Sequence, residues 1–169
     1  MKEELARAGA QRVAKGLVGE MRDELNKGIV PAEMQRRGVK SDRSENEIGS
    51  EAIDAAIEVH RELGNGLLES VYENALAMEL ENRGLEVEIQ VPVDVAYKGE
   101  PLGLGFRADV VVENKVLIEL KSVETLTQAH RKQIQTYLRL AGHRLGYLFN
   151  FGAPLMKNGI VRCVNGLLE

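Results

Sequence analysis

Between Phe106 and Ser122 the chain runs Phe-Arg-Ala-Asp-Val-Val-Val-Glu-Asn-Lys-Val-Leu-Ile-Glu-Leu-Lys-Ser, and no other stretch limits the fold as tightly. Val, Ile and Leu alternate at short period on both sides of Glu113-Asn114-Lys115, a polar and turn-compatible triplet, which is the pattern of a β-hairpin. With Asn114 at the centre of a three-residue loop, opposed residues have numbers that sum to 228. Asp109 then faces Glu119 and Arg107 faces Lys121, while Phe106, Ala108, Val110, Val112, Val116, Ile118 and Leu120 fall on the opposite, apolar face. A slip of one residue would drive the charges into the core, so the pattern itself sets the register. Opposed side chains have Cβ atoms about 4.5–5.5 Å apart, and like charges at that spacing destabilise the pair unless compensated. A divalent cation would compensate. The plainer alternative is a solvated face whose charges keep the sheet soluble.

A chain of 169 residues, 44% hydrophobic, can bury one sizeable core and is expected to hold one domain with an appendage. The single cysteine, Cys163, can form no internal disulfide, and Met-Lys-Glu-Glu-Leu-Ala-Arg at the start has no secretory character. No run is long enough to span a membrane, so a reducing, cytoplasmic setting is expected. The net charge of −4 is unevenly spread: residues 1–46 hold 10 Lys and Arg against 8 Asp and Glu, and the remainder 12 against 18. An acidic body argues against tight nonspecific duplex binding, for which phosphate contacts supply most of the affinity. It suits carboxylates gathered for a metal.

Along the chain, Leu5, Val13, Leu17, Met21 and Leu25 recur about every fourth residue and predict a helix over residues 2–27 with one apolar stripe. A short helix follows from Pro31 to Gly38, and the polar residues to Asn46 read as a linker. This N-terminal helical extension, residues 1–46, offers a surface for a second copy or a protein partner; the plainer alternative is a helix laid on the body. Ser44-Glu45-Asn46-Glu47 has capping-box spacing and opens a helix to about residue 63. Gly64-Asn65-Gly66 breaks it, and a second helix runs from Leu67 to Arg83, closed by Gly84, with Glu69, Tyr72, Glu73 and Leu76 on one face. Val87, Ile89, Val91, Val93, Val95 and Tyr97 then alternate with Glu86, Glu88, Gln90 and Asp94, a strand with one wet face that Pro92 marks as an edge or a bulge. Thr127 caps a helix that reaches Ala141 and ends at Gly142. Leu145 to Phe149 and Ile160 to Val164 complete the strands.

At Gly66-Leu67-Leu68-Glu69-Ser70-Val71-Tyr72 the chain shows Gly-x-x-Glu-x-x-Tyr. Further on come Gln-Val-Pro-Val at 90–93, Gly-Phe-Arg-Ala-Asp at 105–109, Glu-Leu-Lys at 119–121, Gln133 with Tyr137, and Gly146 to Gly152 ending in Asn-Phe-Gly. Six motifs in this order, within Ile48 to Leu167, resemble the GxxExxY protein family of the PD-(D/E)XK nuclease superfamily. The resemblance implies an α/β, restriction-endonuclease-like core in residues 47–169, a central mixed β-sheet flanked by helices. It also implies that Asp109 and Glu119 are metal ligands, Lys121 the catalytic lysine and Glu69 the helix-borne carboxylate, and that Gln133 and Tyr137 match the superfamily's Gln-x-x-x-Tyr helix. Two departures stand out: Ala108 replaces the proline of the superfamily's name, and Arg131-Lys132 precede Gln133 where relatives carry acidic or small residues. The basic pair fits phosphate contact or a solvated face.

Phosphodiester hydrolysis needs a nucleophilic water and relief of charge on the phosphoryl and leaving oxygens, and Mg²⁺, with Mn²⁺ as a substitute, can serve both needs. Magnesium takes hard oxygen ligands. Asp109, Glu119 and Glu69 supply them, with the Leu120 carbonyl as a further candidate. Lys121 falls on the same face as Glu119 and has no evident reason to lose its proton, so its expected duty is electrostatic. Gln133 and Tyr137, one helical turn apart, would orient the lysine, the water or a phosphate. Arg107, Arg131, Lys132, His130 and Tyr72 are candidates for the substrate side, although His130 is also a candidate helix cap and Tyr72 a candidate core residue; His60 and His143 carry no functional expectation. The function implied is a metal-dependent nuclease with nucleic acid as partner, DNA before RNA. The competing expectation is a non-catalytic nucleic-acid- or protein-interaction module that retains the nuclease fold.

Overall fold

The computed structural model describes residues 42–166; the helices expected over residues 2–27 and 31–38 lie outside the described residues. The described chain opens on helix α1 (Glu45–Leu63), set by the expected capping box: Ser44 Oγ accepts from Glu47 N, and the Glu47 carboxylate accepts from Ser44 N at 2.7 Å. Helix α2 (Glu69–Asn82) follows, and the chain leaves it through Gly84, whose φ of +78° suits a residue without Cβ. Strands β1 (Val87–Tyr97), β2 (Glu100–Val112) and β3 (Val116–Lys121) then form an antiparallel meander. Helix α3 (Gln128–Ala141) crosses to β4 (Leu145–Asn150), which pairs parallel to β3, and one 3₁₀ turn (Met156–Asn158) leads to the antiparallel β5 (Ile160–Val164). The result is a five-stranded mixed sheet in the order β1-β2-β3-β4-β5. A parallel neighbour needs a crossover, and α3 supplies it. Among the described residues no helix is long and apolar enough to cross a membrane.

Val110↔Ile118, Val111↔Leu117 and Val112↔Val116 carry the register expected from the hairpin, and β1, with Pro92, is the edge strand. The expected division into one apolar and one charged face needs correction, because helices cover both sides of the sheet. Val110, Val112, Val116, Ile118 and Leu120 pack with α1 and α2 residues such as Ile48, Ala52, Tyr72 and Leu76. On the other side Val111 and Leu117 pack with Ile134 and Leu138 of α3, so the strip of odd-numbered residues is apolar under the helix and charged only beyond it. Phe106 and Ala108 join this second cluster rather than the first. Strand β1 shows the same exchange: Val87 packs against the first cluster, Val91 and Val93 against the second. Both strands therefore change faces between the same paired positions, at Gln90 and Asp109.

Close approaches hold the layers in place. A methyl group at Gly49 of α1 would stand 2.9 Å from Tyr147 Cε2, and one at Gly146 would stand 2.8 Å from Leu138 Cδ2, so each glycine lets a helix lie directly on β4. β4 is buried along its whole length, as expected of a central strand covered on both faces.

Candidate active site

The β2–β3 ladder stops at Val110↔Ile118, one pair before Asp109 and Glu119 would be opposed. This corrects the expected pairing of Asp109 with Glu119 and of Arg107 with Lys121: Arg107 pairs with Pro92 of β1, and its guanidinium donates to the Gln90 carbonyl at 3.3 Å. Where the strands part, side chains take over the backbone's hydrogen bonds. Leu120 N donates to Asp109 Oδ2 at 2.8 Å, which fixes Asp109 against β3.

Glu119 is 2% exposed, so its carboxylate has been taken from water almost completely. Its Oε1 accepts from Lys121 Nζ at 2.7 Å and from Gln133 Nε2 at 3.0 Å, while its buried Oε2 has no hydrogen-bond partner. Burial, with the Asp109 charge adding and Lys121 opposing, lifts the Glu119 carboxyl from 4.5 to about 7. Asp109 is also raised, first by burial, against the Leu120 N–H and the Lys121 charge; Glu69 adds to the rise. Burial alone would lower Lys121, but its hydrogen bond to Glu119 and the charges of Glu119, Glu69 and Asp109 outweigh it and raise the ammonium above its ordinary value. Lys121 is therefore cationic at neutral pH.

Glu69 opens α2, whose N-cap Leu68 makes no side-chain hydrogen bond to the first turn. Its Oε1 accepts from Ser122 N at 3.0 Å, and Ser122 Oγ donates to the Leu67 carbonyl at 2.8 Å, so the start of α2 is tied to the end of β3. Gln133 Nε2 reaches both Glu119 and the Tyr137 hydroxyl, the latter at 2.9 Å. The Tyr137 ring stacks on Phe106 with centroids 3.7 Å apart. Asp109, Glu119, Lys121, Glu69, Gln133 and Tyr137 are thus brought together.

The remaining candidates are placed differently. Tyr72 is fully buried, stacked on Phe151, with its hydroxyl donating to the Gly64 carbonyl and accepting from Leu67 N. Its place is in the core, holding the loop before α2, and this corrects its expected substrate-side position. His130 Nδ1 accepts from Thr127 N at 3.2 Å, and His130 N donates to Thr127 Oγ1, a capping arrangement at the start of α3. Arg107, Arg131 and Lys132 are exposed. Leu120 takes part through its N–H, which donates to Asp109.

Three further residues support the site without having been marked for it. Asn150, buried at the end of β4, accepts from Val123 N and Gly152 N and donates to the Val123 carbonyl, which anchors the segment after Lys121. The Asn-Phe-Gly motif was its signal. Glu73 and Gln90 meet beside Asp109: Gln90 Nε2 donates to Glu73 Oε2 and lies 3.5 Å from Asp109 Oδ1. Glu73 is raised by burial, with the Gln90 hydrogen bond opposing and the Asp109 charge adding. Its spacing of four from Glu69 put it on the right helix face; nothing in the sequence joined it to Gln90.

Among the described residues no three His, Cys, Asp or Glu side chains already form a metal cage. Glu119 is drawn onto Lys121, and Glu69 onto Ser122. The donor set nonetheless fits a hard cation: a buried carboxylate oxygen without a partner, beside a second carboxylate that raises its pKa, gains most from a positive ion.

A helix-flanked mixed sheet with an acidic residue on one strand and Glu-x-Lys on its neighbour is a restriction-endonuclease-like α/β core. Residues 46–163 match a family model described as the PD-(D/E)XK nuclease superfamily, and the chain belongs to that superfamily. No curated protein and no solved structure matches the chain.

Proposed function

We propose that the chain is a metal-dependent nuclease that hydrolyses phosphodiester bonds of nucleic acid, DNA before RNA. The observation that carries this reading is the buried Glu119 carboxylate, held by Lys121 and Gln133 on one oxygen and unpartnered on the other, next to Asp109. A stable core has no use for such a group, because an unsatisfied buried carboxylate oxygen costs free energy and an apolar residue would cost none. Asp109, Glu119, Glu69 and the Leu120 carbonyl would hold a divalent cation, Mg²⁺ or Mn²⁺, which supplies an activated water and charge relief at the phosphoryl group.

The chain's own groups do the rest. Lys121, cationic and next to Glu119, holds the attacking water or meets negative charge developing on the phosphoryl oxygens. Gln133 keeps the Glu119 oxygen and the lysine in register, and Tyr137, stacked on Phe106, fixes the Gln133 amide. Exposed Arg107, Arg131 and Lys132 meet backbone phosphates. The test is cleavage of single-stranded, duplex and branched DNA and of RNA, with Mg²⁺, Mn²⁺ or chelator, beside Asp109→Asn and Lys121→Ala. Cation-dependent cleavage of DNA that both folded variants lose supports the reading; equal activity in wild type and variants overturns it.

A further inference from the structure

Two residues that this chemistry leaves unused converge on Asp109. Glu73 lies one turn after Glu69 on α2 and is 9% exposed, and its carboxylate accepts from Gln90 Nε2. The same nitrogen stands 3.5 Å from Asp109 Oδ1, while Asp109 Oδ2 is taken by Leu120 N. A primary amide nitrogen carries two N–H donors and an ionised carboxylate only accepts, so one Gln90 nitrogen can serve two carboxylates from two different elements. Reversing the amide would turn its oxygen toward both, lone pairs against lone pairs. Glu73 therefore decides which end of Gln90 faces Asp109.

The backbone at Gln90 points the same way. Its φ of +52° is left-handed, a conformation that strains a non-glycine residue and persists only where the surroundings hold it. Among the described residues the other non-glycine positive-φ positions, Lys98, Glu113 and Asn114, lie in turns; Gln90 lies inside a strand. Its carbonyl is held by Arg107, and its place in β1 is where that strand and β2 change faces.

We infer that Glu73 and Gln90 are positioning residues that hold Asp109 in its cation-binding orientation, with Glu73 fixing the polarity of the Gln90 amide and Gln90 fixing the second Asp109 oxygen. What Asp109 binds once held rests on the nuclease reading; the holding itself is a property of the chain alone.

The experiment reads the two separately in the full-length protein. The Leu120 amide resonance, recorded by ¹⁵N–¹H NMR without divalent cation, reports on Asp109 Oδ2, and calorimetric titration with Mn²⁺ reports on the site. Gln90→Ala and Glu73→Gln are expected to move the Leu120 resonance in the direction that Asp109→Asn moves it. They are expected to weaken Mn²⁺ binding by about tenfold or more, as loss of a ligand's supporting partner does, and to lower kcat for DNA with KM unchanged. Glu81→Gln, exposed on the same helix, changes none of these. If Glu73→Gln fails to fold, Gln90→Ala at its exposed strand position still decides. A Leu120 resonance unmoved in Gln90→Ala overturns the inference, as does a wild-type Mn²⁺ affinity in that variant. A wild type that binds no Mn²⁺ defeats the nuclease reading instead, and the Leu120 resonance alone then decides the positioning.

Discussion

Glu119→Gln should remove most of a pH-dependent instability that the native site carries. The carboxyl rises from 4.5 in the open chain to about 7 in the fold, because burial and the Asp109 charge disfavour its ionised form. At about 1.36 kcal/mol per pH unit, that difference of roughly 2.5 pH units amounts to about 3 kcal/mol. The sign follows from proton counting: between pH 4.5 and 7 the folded state holds a proton that the unfolded state has released, so stability falls as pH rises through this window. Below pH 4.5 the contribution is fully present, and above 7 it is gone. Urea unfolding of wild type and Glu119→Gln in chelator, at several pH values from 4.5 to 8, measures it. Relative to the variant, wild type should lose about 3 kcal/mol across the series, most of it by pH 7. Mg²⁺ or Mn²⁺ at pH 8 should restore part of the loss in wild type alone, because a ligand that binds only the folded state stabilises it. Stability curves that run parallel, within about 0.5 kcal/mol across the series, would refute the argument.

Lys121→Ala should leave DNA affinity within a few-fold of wild type while kcat falls by about 100-fold or more, the scale of losing one charge-stabilising group; single-turnover kinetics with a binding isotherm checks both. Tyr72→Phe should cost about 1–3 kcal/mol in urea unfolding, since the Gly64 carbonyl and Leu67 N would lose a buried partner. Gly152→Ala should destabilise by about 1–3 kcal/mol or prevent folding, because its Cβ would stand 2.7 Å from Val123 N, backbone that Asn150 holds in place; a thermal melt reads it.

Hairpin register, the capping box at Ser44, the Thr127 cap and the glycines that end α2 and α3 were legible because each depends on local chemistry: alternation, a side chain three residues from a backbone N–H, and freedom at positive φ. Ser44 with Glu47 and Gly142 after Ala141 are of this kind. Two things were not local. Helix α3 covers the second face of the hairpin, so Val111 and Leu117 interrupt what alternation alone presents as a charged strip. The change of faces at Gln90 and Asp109 puts Phe106 and Ala108 opposite Val110, and strict alternation through Val87, Val91 and Val93 hides it. A left-handed glutamine has no sequence signature, unlike a glycine in the same conformation. In the candidate site, Asp109, Glu119, Lys121, Gln133 and Tyr137 were legible from their motifs. The Gln90 link to Glu73 depends on a contact between an edge strand and a helix, and no spacing reveals that.

The central claim, that the buried Glu119 carboxylate and its neighbours take up a divalent cation, is tested most directly by calorimetric titration of Mn²⁺ into the folded wild type and Glu119→Gln at pH 8. Binding to wild type that the variant loses is the predicted result. Identical heats from the two proteins would contradict it.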